Sequence, residues 1–394
     1  MIPAIRKIFN NSFTVENYKE YIHQFEMRTQ CKSAFRIAET PIFIPKDFTD
    51  KMLDACEQII DVILDDDFKS ITADSIPSSY KIPNKEQLAE MMVFDFGICK
   101  DKNGEIVPQL IEMQGFPSLF GFQILNDSLT KKYAAIPDNF DSYLNGYDKE
   151  SYTQLLKDII IGESNPKNVI LLEIYPERQK TLIDFKYTEE ILGIQTVCLT
   201  SLQAEKDELF YYKDSEKIKV KKIFNRIIFD DLKQYSLNNI IDLTKEYDVE
   251  WVPHPNWYYR ISKYTLPFLN HPYIPESYFL NELKAPVNLN EFVLKPLFSY
   301  AGMGVIIDVT QGDIDSITDP GNWILQKKVD YLPVIETSDE MAKAEIRLFY
   351  FQKKDWERPI AIHNLARLSK GKMIGTRYNE DKTWVGGTIA YFEK

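Results

Sequence analysis

The chain has 394 residues, 44% of them hydrophobic and 27% charged, with a formal net charge of −12. That length suits two or three domains with a large core, and the acidic balance argues against the basic footprint of a sequence-independent nucleic-acid binder. Cys31, Cys56, Cys99 and Cys198 form no CxxC pair, and His23, His254, His271 and His363 lack ligand spacing, which argues against zinc or a disulfide framework.

Any metal chemistry then falls to oxygen ligands, which suit magnesium. No 18-residue apolar run and no apolar leader after Met1 are present, so no membrane span and no signal peptide are expected, and a reducing cytoplasm is the simplest setting. The sequence carries no statement about oligomeric state.

Residues 1–80 read as an N-terminal helical region: 15–25 and 47–64 carry apolar residues at three and four spacing, and Asp65-Asp66-Asp67 reads as a solvated turn. A second segment, 81–165, opens with a short helix predicted over 84–92. It continues into two strands, 92–99 and 106–114, around Asn103-Gly104, the strongest short hairpin signal. A two-residue turn there makes cross-strand partners sum to 207, so Asp95 faces Glu112, and Gln114 shares the face of Glu112. Facing carboxylates repel. Either a divalent cation turns that repulsion into a site formed by Asp95, Glu112 and Gln114, or Pro108 bulges the strand and the face is merely wet.

Residues 166–280 alternate strand and helix: a β-run at 168–174, a helix at 185–192, a strand at 195–199, then strands at 210–212 and 223–229. That order suggests a small doubly wound α/β domain. Arg226 is a candidate for a substrate carboxylate, with a structural ion pair as the other reading. The Pro- and aromatic-rich stretch 251–275 reads as a packed connection.

The last segment, 281–394, holds Phe292 to Ile307, an apolar strand with Lys295, then Ser299, Ala301, Gly302, Met303 and Gly304, then a second β-branched run. Glycines let backbone N–H groups approach an anion and the lysine supplies charge. The alternative is a glycine turn with a snorkelling lysine. It is neither a Walker loop nor a dinucleotide fingerprint. Gln326, Lys327 and Lys328 end a strand as a hinge for an adenine edge, Glu345 and Arg347 share a strand face, and Arg367 and Asn379 precede Gly386-Gly387.

In their joint order these pieces resemble the ATP-grasp superfamily. The segment expected after Asn379, a helix followed by a strand aspartate and Glu-x-Asn, occurs instead at 84–92, Asp95 and Glu112-Met113-Gln114. The order is therefore similar to the circularly permuted ATP-grasp group containing the glutathionylspermidine synthases. Asp95-Phe96, Leu110-Ile111-Glu112 and Leu294-Lys295-Pro296-Leu297-Phe298 carry the likeness over about residue 82 to the end. Two positions depart from it: Gln114 stands for an asparagine and Val93 for an arginine.

The resemblance implies an α/β (α+β) chain with a circularly permuted ATP-grasp fold and a small pre-ATP-grasp-like α/β domain. It implies an ADP-forming ligase that joins the carboxylate of a small molecule or peptide to an amine through an acyl phosphate, with ATP and Mg2+ as cofactors. Lys295, Ser299, Ala301, Gly302, Met303, Gly304, Gln326, Lys327, Lys328 and Asn379 would bind the nucleotide. Asp95, Glu112 and Gln114 would bind metal, and Arg347 and Arg367 would act in catalysis. The alternatives are a catalytically degenerate nucleotide-binding scaffold and a phosphotransferase that forms no amide.

Overall fold

The computed structural model describes residues 1–394 apart from 236, 238, 239, 284–286, 300, 301, 373, 375–378 and 380. Its centre is an antiparallel sheet in which Ile106–Gln114, Met91–Lys100, Met341–Phe351, Ile360–Ser369 and Gly386–Thr388 lie side by side. One face buries Phe94, Phe96, Ile346, Leu348, Ala366 and Leu368 in the core beneath the helix Lys46–Leu64. Alternation sends Asp95, Glu345, Arg347 and Arg367 to the opposite face. Phe292–Pro296, Trp323–Lys327 and Ser277–Phe279 form a second, three-stranded antiparallel sheet.

The strand–helix–strand pattern at 166–280 folds into a four-stranded parallel sheet ordered Glu250–Val252, Lys222–Asn225, Val169–Glu173, Gln195–Cys198. Helices Lys149–Ile160 and Leu182–Leu192 bury Leu155, Ile159, Ile183 and Phe185 in a core shared with Leu171 and Phe224. Residues 210–212 do not join it. They lie in Glu208–Lys213, the middle of a separate antiparallel meander whose partner Glu216–Val220 is local.

Three further expectations are corrected. The 84–92 stretch is not helical: residues 81–90 are irregular and the strand starts at Met91. Tertiary bonds override the local helical pattern, since Asn84 Nδ2 donates to the Tyr247 carbonyl at 2.7 Å and Glu86 accepts from Arg260 Nε at 2.9 Å. The turn at 101–105 is a three-residue loop, with Gly104 N–H donating to the Asp101 carbonyl at 3.0 Å and Gly104 at φ 84°. The second β-branched run after the glycine loop is reduced to one bridge, Leu294 to Ile306.

The N-terminal helices are tied to the rest. Ile42–Ile44 runs parallel to Ala390–Glu393, and Gly387 N–H donates to the Arg36 carbonyl at 2.8 Å, extending the central sheet past its last strand. Gly386 permits that approach, because at φ 116° a Cβ there would stand 2.2 Å from the Arg36 oxygen. Among the described residues no helix is long and apolar enough to cross a membrane.

Candidate functional site

The polar face of the central sheet is built from direct cross-strand pairs: Asp95 opposite Glu112 on one side and Arg347 on the other, and Glu345 opposite Arg367. The Asp95–Glu112 pairing was expected, although its cause differs. Beyond the three-residue loop partners sum to 206, as in Cys99 with Val107, and Ile111 is an extra residue that restores 207 at Asp95. The bulge also frees a carbonyl: Lys295 Nζ donates to Ile111 O at 3.2 Å.

Asp95 is 1% exposed and holds the two arginines. Arg347 donates to it through Nε at 2.5 Å and Nη2 at 2.6 Å, Arg367 Nη2 donates to Oδ2, and Arg347 Nη1 reaches Ser118 Oγ at 2.9 Å. Burial resists ionisation of Asp95, yet the two guanidinium groups hold its carboxyl below the usual range. Glu345 pairs with Arg367 at 3.1 Å and accepts from Tyr331 OH, but burial raises its pKa. Tyr331 lies close over Gly97, where a Cβ would meet its ring at 2.7 Å.

The three-stranded sheet faces this row with Lys295, which donates to Gln326 Oε1 and whose pKa burial lowers to about 8, opposed by Glu112. Lys263 was missed by the sequence reading. It is buried, donates to the carbonyls of Leu297 at 3.3 Å and Ser299 at 2.6 Å, and stands 3.9 Å from Glu112. It thereby tethers the start of the glycine loop, and burial lowers its pKa too. Its only sequence signal was a lone lysine, Ser262-Lys263-Tyr264, inside the packed aromatic connection.

These groups line a cavity of about 260 Å³ that also includes Ser299, Gly302, Lys327 and Lys328. Gly302 and Gly304 take φ 71° and 74°, and Met303, 47% exposed, lies on the loop between them. Ala301 lies outside the described residues. Lys327 stands 3.8 Å from Glu276 and Lys328 3.7 Å from Asp308.

A larger neighbouring cavity of about 570 Å³ is lined by Gln114, Arg226, Arg347 and Asn379, with Phe35 and Phe116 among its apolar walls. Glu112 and Arg367 belong to both cavities and stand where they meet. Arg226 is committed to the fold: Nη1 donates to the Ser118 carbonyl at 3.0 Å and lies 3.6 Å from the buried Asp184 carboxylate. Asn379 braces the end of its neighbouring strand, its Oδ1 accepting from Lys370 N–H at 2.9 Å.

The oxygen donors suit magnesium in type. In placement Asp95 does not, because its oxygens already accept from three guanidinium N–H groups. No group of three His, Cys, Asp or Glu is placed to hold a metal ion among the described residues. Glu112 and Gln114 remain, joined by a 2.9 Å bond from Gln114 Nε2 to Glu112 Oε1.

The sequence matches no protein-family model and no curated protein. The fold is similar to that of a glutathione synthetase-like effector from Globodera pallida, solved in apo form, with a TM-score of 0.58 over 95% of this chain and 96% of that chain at 10% identity. The chain thus has a mixed α/β architecture with several sheets that is glutathione synthetase-like in its overall fold.

Proposed function

We propose that the chain is an ATP-dependent carboxylate–amine ligase with a circularly permuted ATP-grasp fold. The observation that carries this reading is the meeting of Lys295 with the Asp95–Glu112 hairpin, some 180 residues earlier in the chain, across one cavity. The glutathione synthetase-like fold supports it at the level of architecture.

In this reading the smaller cavity takes the nucleotide. Lys295 and Lys263 neutralise phosphate charge, and the Gly302–Gly304 loop offers backbone N–H groups. The larger cavity takes the acid, a small molecule or peptide whose apolar part meets Phe35 and Phe116. A carboxylate oxygen attacks the terminal phosphorus, the bond to the bridging oxygen breaks, and ADP leaves. The amine then attacks the acyl carbon, phosphate departs, and the amine proton passes to solvent. Arg367, at the junction of the cavities, steadies charge on the transferring group, while Arg347 is fixed beside it by Asp95 and Ser118. Magnesium, when bound, would be held by Glu112 and Gln114 and would add positive charge beside the phosphates.

The capture of Asp95 by both arginines favours a second reading, a nucleotide-binding scaffold without turnover. Calorimetry with Mg-ATP and an ADP-release screen over acids and amines test both. The ligase sustains ADP release over many turnovers only when acid and amine are both present, the scaffold binds ATP without release, and absence of ATP binding overturns both readings.

A further inference from the structure

The helices Pro3–Ser12, Val15–Thr29 and Phe120–Tyr133 meet the segment 38–41 around a third cavity, of about 50 Å³. Thr14 caps the second helix, its side chain accepting from Asn17 N–H at 3.2 Å, and the tight corner so formed sets Phe13 against that helix's first turns. Tyr18 and Tyr21, three residues apart, share a face of the same helix, and Tyr133 ends the third one. All four rings line the cavity. In the order Phe13, Tyr18, Tyr21, Tyr133 each ring centre stands 6.3 Å from the next, with planes tilted by 44°, 32° and 75°, so the rings form a bent wall rather than a parallel stack. Ala38, Ala134 and Thr388 line the rest with short side chains, and no residue fills a gap that a protein interior ordinarily closes.

The surrounding charge favours a cation. Among the described residues no lysine or arginine lines this cavity, whereas Glu39 does. The Glu39 carboxylate accepts from Arg36 Nη2 and from Trp384 N–H at 2.8 Å, yet it outweighs the arginine at Tyr18. Burial raises the pKa of that phenol, and Glu39 raises it further by more than Arg36 lowers it. Aromatic rings add their negative faces, and one of these four already attracts a cation: Lys132 Nζ, outside the lining, stands 4.9 Å from the Tyr133 ring centre. Hydrogen-bonding groups on the wall are largely engaged, with Tyr18 OH donating to the Ile37 carbonyl at 2.7 Å and Tyr21 OH to Asn126 Oδ1 at 2.5 Å.

We propose that this cavity binds a methylated ammonium group, held by the rings of Phe13, Tyr18, Tyr21 and Tyr133 beside the Glu39 carboxylate. A cation among rings at this spacing lies within about 6 Å of several ring centres, the range of cation–π attraction. A primary ammonium brings three N–H donors that need acceptors, whereas a fully methylated nitrogen needs none and offers its methyl groups to the rings. The cavity shares no lining residue with either of the two described above, so it stands apart from the nucleotide reading.

The test is a ligand-observed NMR titration of the full chain with choline, ethanolamine and 3,3-dimethyl-1-butanol, on the wild type, Tyr133→Leu and Phe13→Leu. Choline carries the methylated cation, ethanolamine carries the primary ammonium, and the butanol has the shape of choline without its charge. The wild type is expected to bind choline about tenfold more tightly than either of the others, and each variant to lose about fivefold in choline affinity. Absence of choline binding by the wild type overturns the inference. Equal binding of choline and the butanol overturns it too, because charge then plays no part, and equal binding of choline and ethanolamine overturns the methylated class. Choline affinity unchanged in both variants puts the binding elsewhere and has the same consequence. The wild-type comparison decides between charge and shape even if a variant does not fold.

Discussion

Asp95 stands directly opposite Arg347 and is capped by Arg367 from one strand further on, so a single carboxylate fixes two guanidinium groups at the junction of two cavities. Asp95→Asn keeps the shape and removes the charge. Breaking a buried, hydrogen-bonded ion pair from one side typically costs about 3 kcal/mol. Urea unfolding at pH 7 should show a loss of that order, and a loss below about 1 kcal/mol would mean that the pair does not hold the sheet face. The folded pKa of Asp95 is depressed, so its contribution is present above the unfolded value and lost as pH falls through the folded one. The gap between variant and wild type should therefore close in acid.

Lys295→Met separates binding from folding. The methionine fills a similar volume without a buried ammonium, so the midpoint of thermal unfolding should stay level or rise. Loss of charge-assisted contacts with phosphate should weaken ATP binding by about 2 to 3 kcal/mol, roughly a hundredfold. Calorimetry and scanning calorimetry on the same preparation report the two effects, and unchanged ATP affinity would remove Lys295 from the site.

The same lysine predicts a pH dependence. Burial sets its pKa at about 8 in the free protein, so the ammonium is intact at pH 7 and largely lost by pH 9.5. A bound polyphosphate favours the charged form, so binding takes up a proton as pH rises through about 8. Apparent ATP affinity should fall across that window, and the proton uptake should appear as a dependence of binding enthalpy on buffer ionisation heat. Lys295→Met should lose both.

Gly386→Ala tests the added edge. At φ 116° an L-residue is strained, and the new Cβ would meet the Arg36 carbonyl at 2.2 Å. A stability loss of about 2 kcal/mol or more is expected. Hydrogen exchange should show faster exchange at the Gly387 and Ala38 amides, whose bonds join the two segments. Unchanged protection there would show that the edge does not depend on the glycine.

The apolar pattern made the long strands legible, because a strand with one buried face advertises itself every second residue: 92–99 and 106–114 were found nearly to the residue. The pairing of Asp95 with Glu112 was legible only by compensation, since a longer turn and an extra Ile111 cancel. Neither leaves a mark in hydrophobic periodicity. The false helix at 84–92 shows the opposite case, in which Asn84 and Glu86 are held by partners 163 and 174 residues away. Arg226 forms the structural ion pair that was one of its two readings, but its partner Asp184, like the role of Lys263, was beyond reach for the same reason: a charge in the sequence does not say which carboxylate or carbonyl will come to meet it.

The strand Gly386–Thr388 would leave its outer N–H and C=O groups open if the segment around Arg36 and Ile37 did not lie against it. An open edge invites pairing with another chain. The N-terminal segment therefore acts as a guard on the sheet as well as a wall of the larger cavity, through Phe35 and Arg36. Damage to it would show first as self-association in solution, with the chemistry of the distant lysine untouched.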